Sequence, residues 1–304
     1  MGKYIVKRIL QGFLTCLILV TIVFFLTRIS GDPTIWMISP KASGEVRLQI
    51  MAKYGLDKSG VEQYFYYIAN IFRGDFGTSY FYNRPAMQVV FERLPVTLKL
   101  TGTALGLAIM IGIPIGVYSA AKKGSAFDVT ARGVAFFTIA APSFWIGLML
   151  IYIFAVQLKA LPAGGNTAPG AIILPSVTLA LTLVGSILRL TRTGMMDELN
   201  NDYVKLARAK GASEGRVIWR HAFKNATIPV ITMIMLLMVV VLSGDVVIEN
   251  IFSWNGAGRL VMAAVFARDY PIVQAFTIFI GVSFVIISII ADILYAVVNP
   301  KIRY

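Results

Sequence analysis

Long apolar runs separated by short charged stretches dominate the chain. Six runs, near residues 8–29, 97–120, 134–158, 173–193, 229–250 and 274–298, are long enough to cross a bilayer as helices, which takes about 20 mostly apolar residues for roughly 30 Å of hydrocarbon. None alternates apolar and polar positions as the strands of a membrane barrel do. Lipid offers no partners to free backbone groups, so each run predicts a helix. The pattern as a whole predicts an all-α integral membrane protein with six transmembrane helices. Gly112-Ile113-Pro114-Ile115-Gly116 predicts a bend in the second helix, and Ala140-Ala141-Pro142-Ser143 one at the start of the third. The small residues at both places read as close helix packing rather than as moving hinges.

The segments between the runs carry patterns of their own. After the first helix, Val46, Ile50 and Tyr54 recur at helical spacing and Gly55 suits a C-terminal cap. Val61, Tyr64, Phe65, Ile68 and Phe72 predict a second amphipathic helix. This part reads equally as a small helical cap and as a docking surface for an external partner. The expected organisation is 1–30 as N-terminal tail and first helix, 31–96 as an extracytoplasmic helical segment, 97–299 as a five-helix core containing a loop at 194–228, and 300–304 as a tail.

Composition supports a lipid solvent. Of 304 residues, 57% are hydrophobic and only 14% charged, and mean hydropathy is +0.75, too little charge to cover a soluble domain. The net charge of +13 then reads as Lys and Arg held on the cytoplasmic side, not as a nucleic-acid-binding surface. Lys3, Lys7 and Arg8, the loop with Lys122, Lys123 and Arg132, the loop with Lys205, Arg208, Lys210, Arg216, Arg220 and Lys224, and the tail with Lys301 and Arg303 fall on one side of six helices. That side is expected to be the cytoplasm, which holds both termini. The first run lacks a small-residue cleavage motif and reads as a retained helix, not a removed signal. Cys16 and His221 are single representatives of their types, and neither a G-x-S-x-G turn nor a G-x-x-x-x-G-K-[ST] loop is present. No catalytic, cofactor or metal site is expected in this chain.

The stretch 197–225 is longer than a passive helix connection. Leu199, Tyr203, Leu206 and Ala207 share a helical face, with Asp197, Glu198 and Asp202 toward its start and Lys205, Arg208 and Lys210 toward its end, as the helix dipole favours. Gly211 supplies a left-handed stop and Ser213 a cap for a second short helix with Val217, Ile218 and Ala222 on its apolar face. The resulting hairpin buries its apolar face either on its own membrane helices or in a partner.

The segment Asp202-Tyr203-Val204-Lys205-Leu206-Ala207-Arg208-Ala209-Lys210-Gly211-Ala212-Ser213-Glu214, followed by Arg220-His221-Ala222-Phe223-Lys224-Asn225-Ala226 and Ile228-Pro229, closely resembles the cytoplasmic loop of peptide and nickel ABC importer permeases. Tyr54 to Asp57, Gly74 to Gly77, Arg93 to Thr97, Phe252 to Trp254, Arg268 to Pro271 and Asp292 to Pro300 look like landmarks of that family in family order. Lys205-Leu206-Ala207 in place of Glu-Ala-Ala narrows the resemblance to the dipeptide/oligopeptide permease B-subunit group. The resemblance implies a type I ABC importer-like core and a translocation pathway without ATPase chemistry of its own. The implied partners are a second homologous permease, two ATP-binding subunits carrying ATP and Mg, an extracytoplasmic substrate-binding protein and the lipid of a bacterial inner membrane. It also implies that Asp202, Tyr203, Ala207, Arg208, Lys210, Gly211, Ala212, Ser213 and Glu214 couple to the ATPase. Asp245 and Glu249, read as lying late in the fifth helix, are expected to pair locally or sit at the interface, with contact to cargo in the translocation path as the alternative, and Asp292 is expected to make a packing or subunit contact. An ion-coupled secondary transporter and a membrane sensor or scaffold are the competing readings.

Overall fold

The structure is a computed structural model that describes residues 2–29, 31, 34, 44–242 and 244–298, with the side chains of 2–7, 53, 239, 241, 242 and 291–298 excepted. Expectations placed on Lys3, Lys7, Asp292, Lys301 and Arg303 lie outside the described residues and side chains. The described chain is helical: α1 (Gly2–Ile29), α2 (Gly44–Lys53), α3 (Gly60–Phe72), α4 (Ala86–Ala121), α5 (Ala126–Ala140), α6 (Ser143–Leu150), α7 (Ile173–Leu199), α8 (Asp202–Ala209), α9 (Phe223–Leu242), α10 (Val246–Ile251), α11 (Ala257–Phe266) and α12 (Tyr270–Val298). Five helical stretches among the described residues are long and apolar enough to cross a membrane, and a sixth forms if α5 and the bent continuation Ser143–Gln157 count as one span. The chain divides into two compact units: Met1–Thr97 with Gly256–Ile286, and Leu98–Asn255 with Ile287–Tyr304.

In the first unit, α1 is covered on one side by α3. Phe24 is fully buried, with the rings of Tyr64 and Tyr67 each 5.3 Å away, and Thr21 Oγ1 lies 2.8 Å from the Tyr64 hydroxyl. The helix α3 is started by a capping box the sequence reading missed: Ser59 Oγ accepts from Glu62 N, and the Glu62 carboxylate accepts from Ser59 N. Its signal, Ser-x-x-Glu before an apolar run, was legible. A second cluster joins Val89, Val90 and Leu94 of α4 to Leu260, Ala264 and Ile272. The loop before α4 is tied down by Asp269, 1% exposed, whose carboxylate accepts from Ser79 Oγ and from the N–H groups of Tyr80 and Phe81. Asp269→Ala is expected to strand these donors at a cost of about 2–3 kcal/mol. Hydrogen exchange that stays slow at Tyr80 and Phe81 in that variant would contradict this role.

The second unit is built around α7, which packs against α5, α6, α9 and α10. Ala104, Leu105 and Ala108 of α4 meet Leu179, Leu183, Val184 and Ile187 of α7. Backbones approach closely here. A Cβ placed on Gly116 would stand 2.8 Å from the Leu188 carbonyl oxygen, and one on Gly185 2.6 Å from that of Ala135, the small-residue packing used where lipid supplies no hydrophobic drive between helices.

Several boundaries differ from the sequence reading. The second span begins at Ala86, not near 97, and runs as one helix through Gly112 to Gly116. The third does not bend near its start. It is divided in the middle, and the two halves meet at 103°. Ala141 and Pro142 are both extended, with ψ of 132° and 133°, because a proline drives its predecessor out of the helical region. The fifth span starts at Phe223 with Pro229 inside it, and ends at Leu242. Gly244 at φ +73° then separates it from α10, so Asp245 and Glu249 do not lie on the fifth helix.

Candidate functional site

The segment between α7 and α9 is a helical hairpin. The first expectation to fall is its starting point: Asp197 and Glu198 belong to the end of α7, and a break at Asn200-Asn201, with Asn201 at ψ 150°, restarts the chain as α8 at Asp202. The Asn pair was the overlooked signal. At the other end, Gly211 takes φ +80°. Its N–H donates to the Arg208 carbonyl at 2.9 Å and that of Ala212 to the Ala207 carbonyl at 3.2 Å, so the last carbonyls of α8 are satisfied as the chain reverses. Ser213 is extended at the start of the return turn but makes no side-chain cap there. The turn Glu214–Arg216 leads into a wider helical turn, Val217–Ala222, that runs directly into α9.

Burial along the hairpin also departs from the sequence reading. The anchor is Val204, fully buried with Val217 and Ala222 against Val117, Ala120, Met195 and Ala226. Ala207 is partly buried against this cluster, whereas Leu206 is 55% exposed and Tyr203 38%. The apolar face drawn through Tyr203 and Leu206 is therefore not the packed one, because the restart at Asp202 leaves Val204 facing the core. The hairpin is fixed to its own helices from behind, and Tyr203, Leu206 and Trp219 face outward among basic side chains.

Polar contacts hold this shape. Arg208 Nε donates to Glu214 Oε1 at 2.8 Å, clasping α8 to the return turn across Gly211. Lys205 Nζ donates to Asp202 Oδ1 at 2.8 Å, and that hydrogen bond holds the Asp202 carboxyl below the ordinary carboxylate range. Tyr203 donates its hydroxyl hydrogen to Glu198 Oε2 at 2.5 Å. Partial burial, followed by this contact, pushes the Tyr203 phenol up, so it remains a neutral donor. Lys210 and Ser213 are exposed, and Ala212 is partly buried.

Asp245 and Glu249 sit apart from the hairpin. Asp245 caps α10, its Oδ1 accepting from Ile248 N at 2.9 Å, and it lines a cavity of about 160 Å³ with Thr101, Leu183 and Val246. Glu249 is fully buried and engaged by neighbouring groups. Among the described residues, no cluster of three or more His, Cys, Asp or Glu is placed to hold a metal ion.

Membrane-length helices, and in the second unit a helical hairpin between α7 and α9, make this a multi-pass membrane protein. The chain belongs to the binding-protein-dependent transport system inner membrane component family, whose model matches residues 112–304 while the family's N-terminal model matches residues 1–101. It is 39% identical, over the full length of both chains, to an oligopeptide transport system permease protein of Bacillus subtilis. It is 37% identical, again over both full lengths, to a glutathione transport system permease protein of Escherichia coli K12. Two kinds of solved structure share the fold. An inward-facing methionine ABC transporter aligns with a TM-score of 0.56 at 14% identity, covering 71% of this chain and 98% of that one. An amino acid ABC transporter aligns at 0.52 and 18%, covering 68% and 92%. The resemblance read from the sequence and the all-α, multi-spanning type I importer fold are borne out.

Proposed function

We propose that the chain forms half of the translocation pathway of a bacterial ATP-driven importer for small peptides or related solutes, and that the hairpin 202–222 is where a separate ATPase subunit engages it. The observation that carries this reading is the two-sided hairpin: Val204, Val217 and Ala222 are locked to the unit that contains α7, while Tyr203, Leu206, Arg208 and Lys210 face outward. A rigid lever with an apolar and basic outer face can transmit a partner's displacement to the helices behind it. Asp202, Ala207, Gly211, Ala212, Ser213 and Glu214 complete the coupling element by setting its shape. A second homologous permease, two ATP-binding subunits and an extracytoplasmic binding protein complete the assembly. Both chain termini and the hairpin face the cytoplasm, and the segment between the first and second spans faces outward, in keeping with the basic loops. The oligopeptide and glutathione relatives support a peptide-like cargo. Asp245, beside an open cavity, is the acidic group placed to meet it, while Glu249 is enclosed by protein in this conformation.

In this mechanism the partner must favour one of two permease conformations by differential binding. ATP binding draws the ATPases together, the paired hairpins follow, and the pathway alternates between inward and outward openings. The test is Gly211→Val. A β-branched residue at φ +80° is strained by about 1–2 kcal/mol, which shifts the hairpin angle without touching the buried anchors. Uptake by the assembled transporter is expected to fall about tenfold, the factor that ~1.4 kcal/mol carries in an equilibrium, with ATP hydrolysis no longer stimulated by cargo. Gly215→Val, where no heavy atom lies within 4 Å of an added Cβ, is the control. An assembled Gly211→Val transporter with normal uptake and stimulation would refute the coupling role.

A further inference from the structure

In the second unit, α4 and α5 are joined by the turn 122–125 and carry matching surfaces. Ile111 and Tyr118 on α4 stand seven residues apart, as do Phe127 and Val134 on α5, so each pair lies on one helical face. All four are between 43% and 51% exposed. The two apolar stripes meet where the rings of Tyr118 and Phe127 stand edge to face, 5.7 Å between their centres. Lys122 Nζ lies 4.9 Å from the centre of the Tyr118 ring, which holds its ammonium group over the aromatic pair. Lys123, beside it, is exposed.

The turn offers these cations no carboxylate. Between Tyr118 and Val134 the one acid is Asp128, which is buried and accepts from Arg192, from Ser119 Oγ and from Gly124 N. The remaining cation of the stretch, Arg132, lies 3.6 Å from Asp128 and stands roughly 140° round α5 from Phe127. Two ammonium groups at the end of a membrane-length helix therefore sit above an aromatic ledge, with apolar surface running away from it. Lysine stems lie along apolar surface while their heads reach the headgroup level, and tyrosine rings favour the same level. The arrangement matches an amphiphile with an anionic head and long chains.

We propose that the Lys122–Lys123 corner and the Tyr118–Phe127 ledge form a binding site for one anionic phospholipid, its phosphate received by the two ammonium groups and its acyl chains lying along α4 and α5. A zwitterionic lipid offers the same chains, but the cation in its own headgroup opposes the lysines, so the site selects by headgroup charge. This inference stands on exposed charge and exposed apolar surface and does not depend on the importer reading.

The test uses the full-length chain in its assembled complex, with photoreactive p-benzoylphenylalanine in place of Phe127. The complex is held in nanodiscs of equal parts phosphatidylglycerol and phosphatidylcholine, and the lipid adducts formed on irradiation are identified by mass spectrometry. Phosphatidylglycerol is expected to be captured about tenfold over phosphatidylcholine, the factor expected of two juxtamembrane charges after salt screening. Lys122→Gln and Lys123→Gln should each lower that ratio about threefold, and the double variant should bring it to parity. Both lysines are exposed, so these variants are expected to assemble, and the probe at Val134 repeats the measurement if position 127 does not tolerate it. The same probe at Phe136, 75% exposed and half a turn round α5 from Phe127, is the control and should capture the two lipids equally. A ratio at Phe127 no higher than at Phe136, a ratio unchanged in the double variant, or capture of a neighbouring protein chain in place of lipid would each overturn the proposal.

Discussion

Gly185→Leu is expected to leave little folded protein. An added Cβ would stand 2.4 Å from Thr138 Oγ1 and 2.6 Å from the Ala135 carbonyl oxygen, and the second of these is backbone that no rotamer change can move. Leucine would have to push α5 away from α7, the helix on which α4, α5, α6, α9 and α10 all pack. Overpacking usually costs about 1–3 kcal/mol, and more where backbone must shift. With several helices sharing the displaced element, the loss is expected at or above the top of that range. Gly133→Leu on α5 serves as the comparison, because nothing lies within 4 Å of its added Cβ, and it should be close to neutral. Thermal unfolding of both variants in detergent checks this. A Gly185→Leu protein that unfolds within a degree or two of the Gly133→Leu protein would show that the close approach of α5 and α7 does not control stability.

The second large effect is expected at Asp128, at the start of α5. Its carboxylate is 1% exposed and accepts from Arg192 Nε at 2.6 Å and Nη2 at 2.9 Å, from Ser119 Oγ at 2.6 Å and from Gly124 N at 3.0 Å. One side chain thereby joins α4, the 122–125 turn, α5 and α7. Asp128→Leu would leave the 15%-exposed Arg192 without its counter-charge, and breaking one member of a buried pair costs about 3–5 kcal/mol. Replacing both, Asp128→Leu with Arg192→Met, should recover much of that loss, since an apolar pair no longer strands a charge. The recovery will be incomplete, because the Ser119 hydroxyl and the Gly124 N–H remain without their acceptor. A double variant no more stable than Asp128→Leu alone would mean that the carboxylate acts through those two donors and not through the ion pair.

These two sites mark how much could be read in advance. Gly116 lies in the stretch that the sequence marks for close packing, but nothing local singles out Gly185 or says that it meets Ala135, or that Asp128 meets a residue 64 positions away. The hairpin shows the same division within a few residues. Gly211 announced its left-handed turn, because glycine carries no steric penalty there. The choice of Val204 over Leu206 as the anchor depended on where α8 restarts and on what lies behind it. The 103° break at Ala141-Pro142 was signalled by the proline, but its size and its place in the middle of the span were not.

The order of residues by itself determined the solvent, the helical state of each apolar run, the reversal at Gly211 and the family, because hydrophobic length, backbone sterics and a contiguous motif are local properties. Only the tertiary structure decided which face of the hairpin is exposed, and that Asp245 caps a separate short helix while Glu249 is enclosed. Those outcomes depend on what distant segments bring alongside each side chain. Spacing along the chain encodes which way a residue points from its own helix, and not what it will find there.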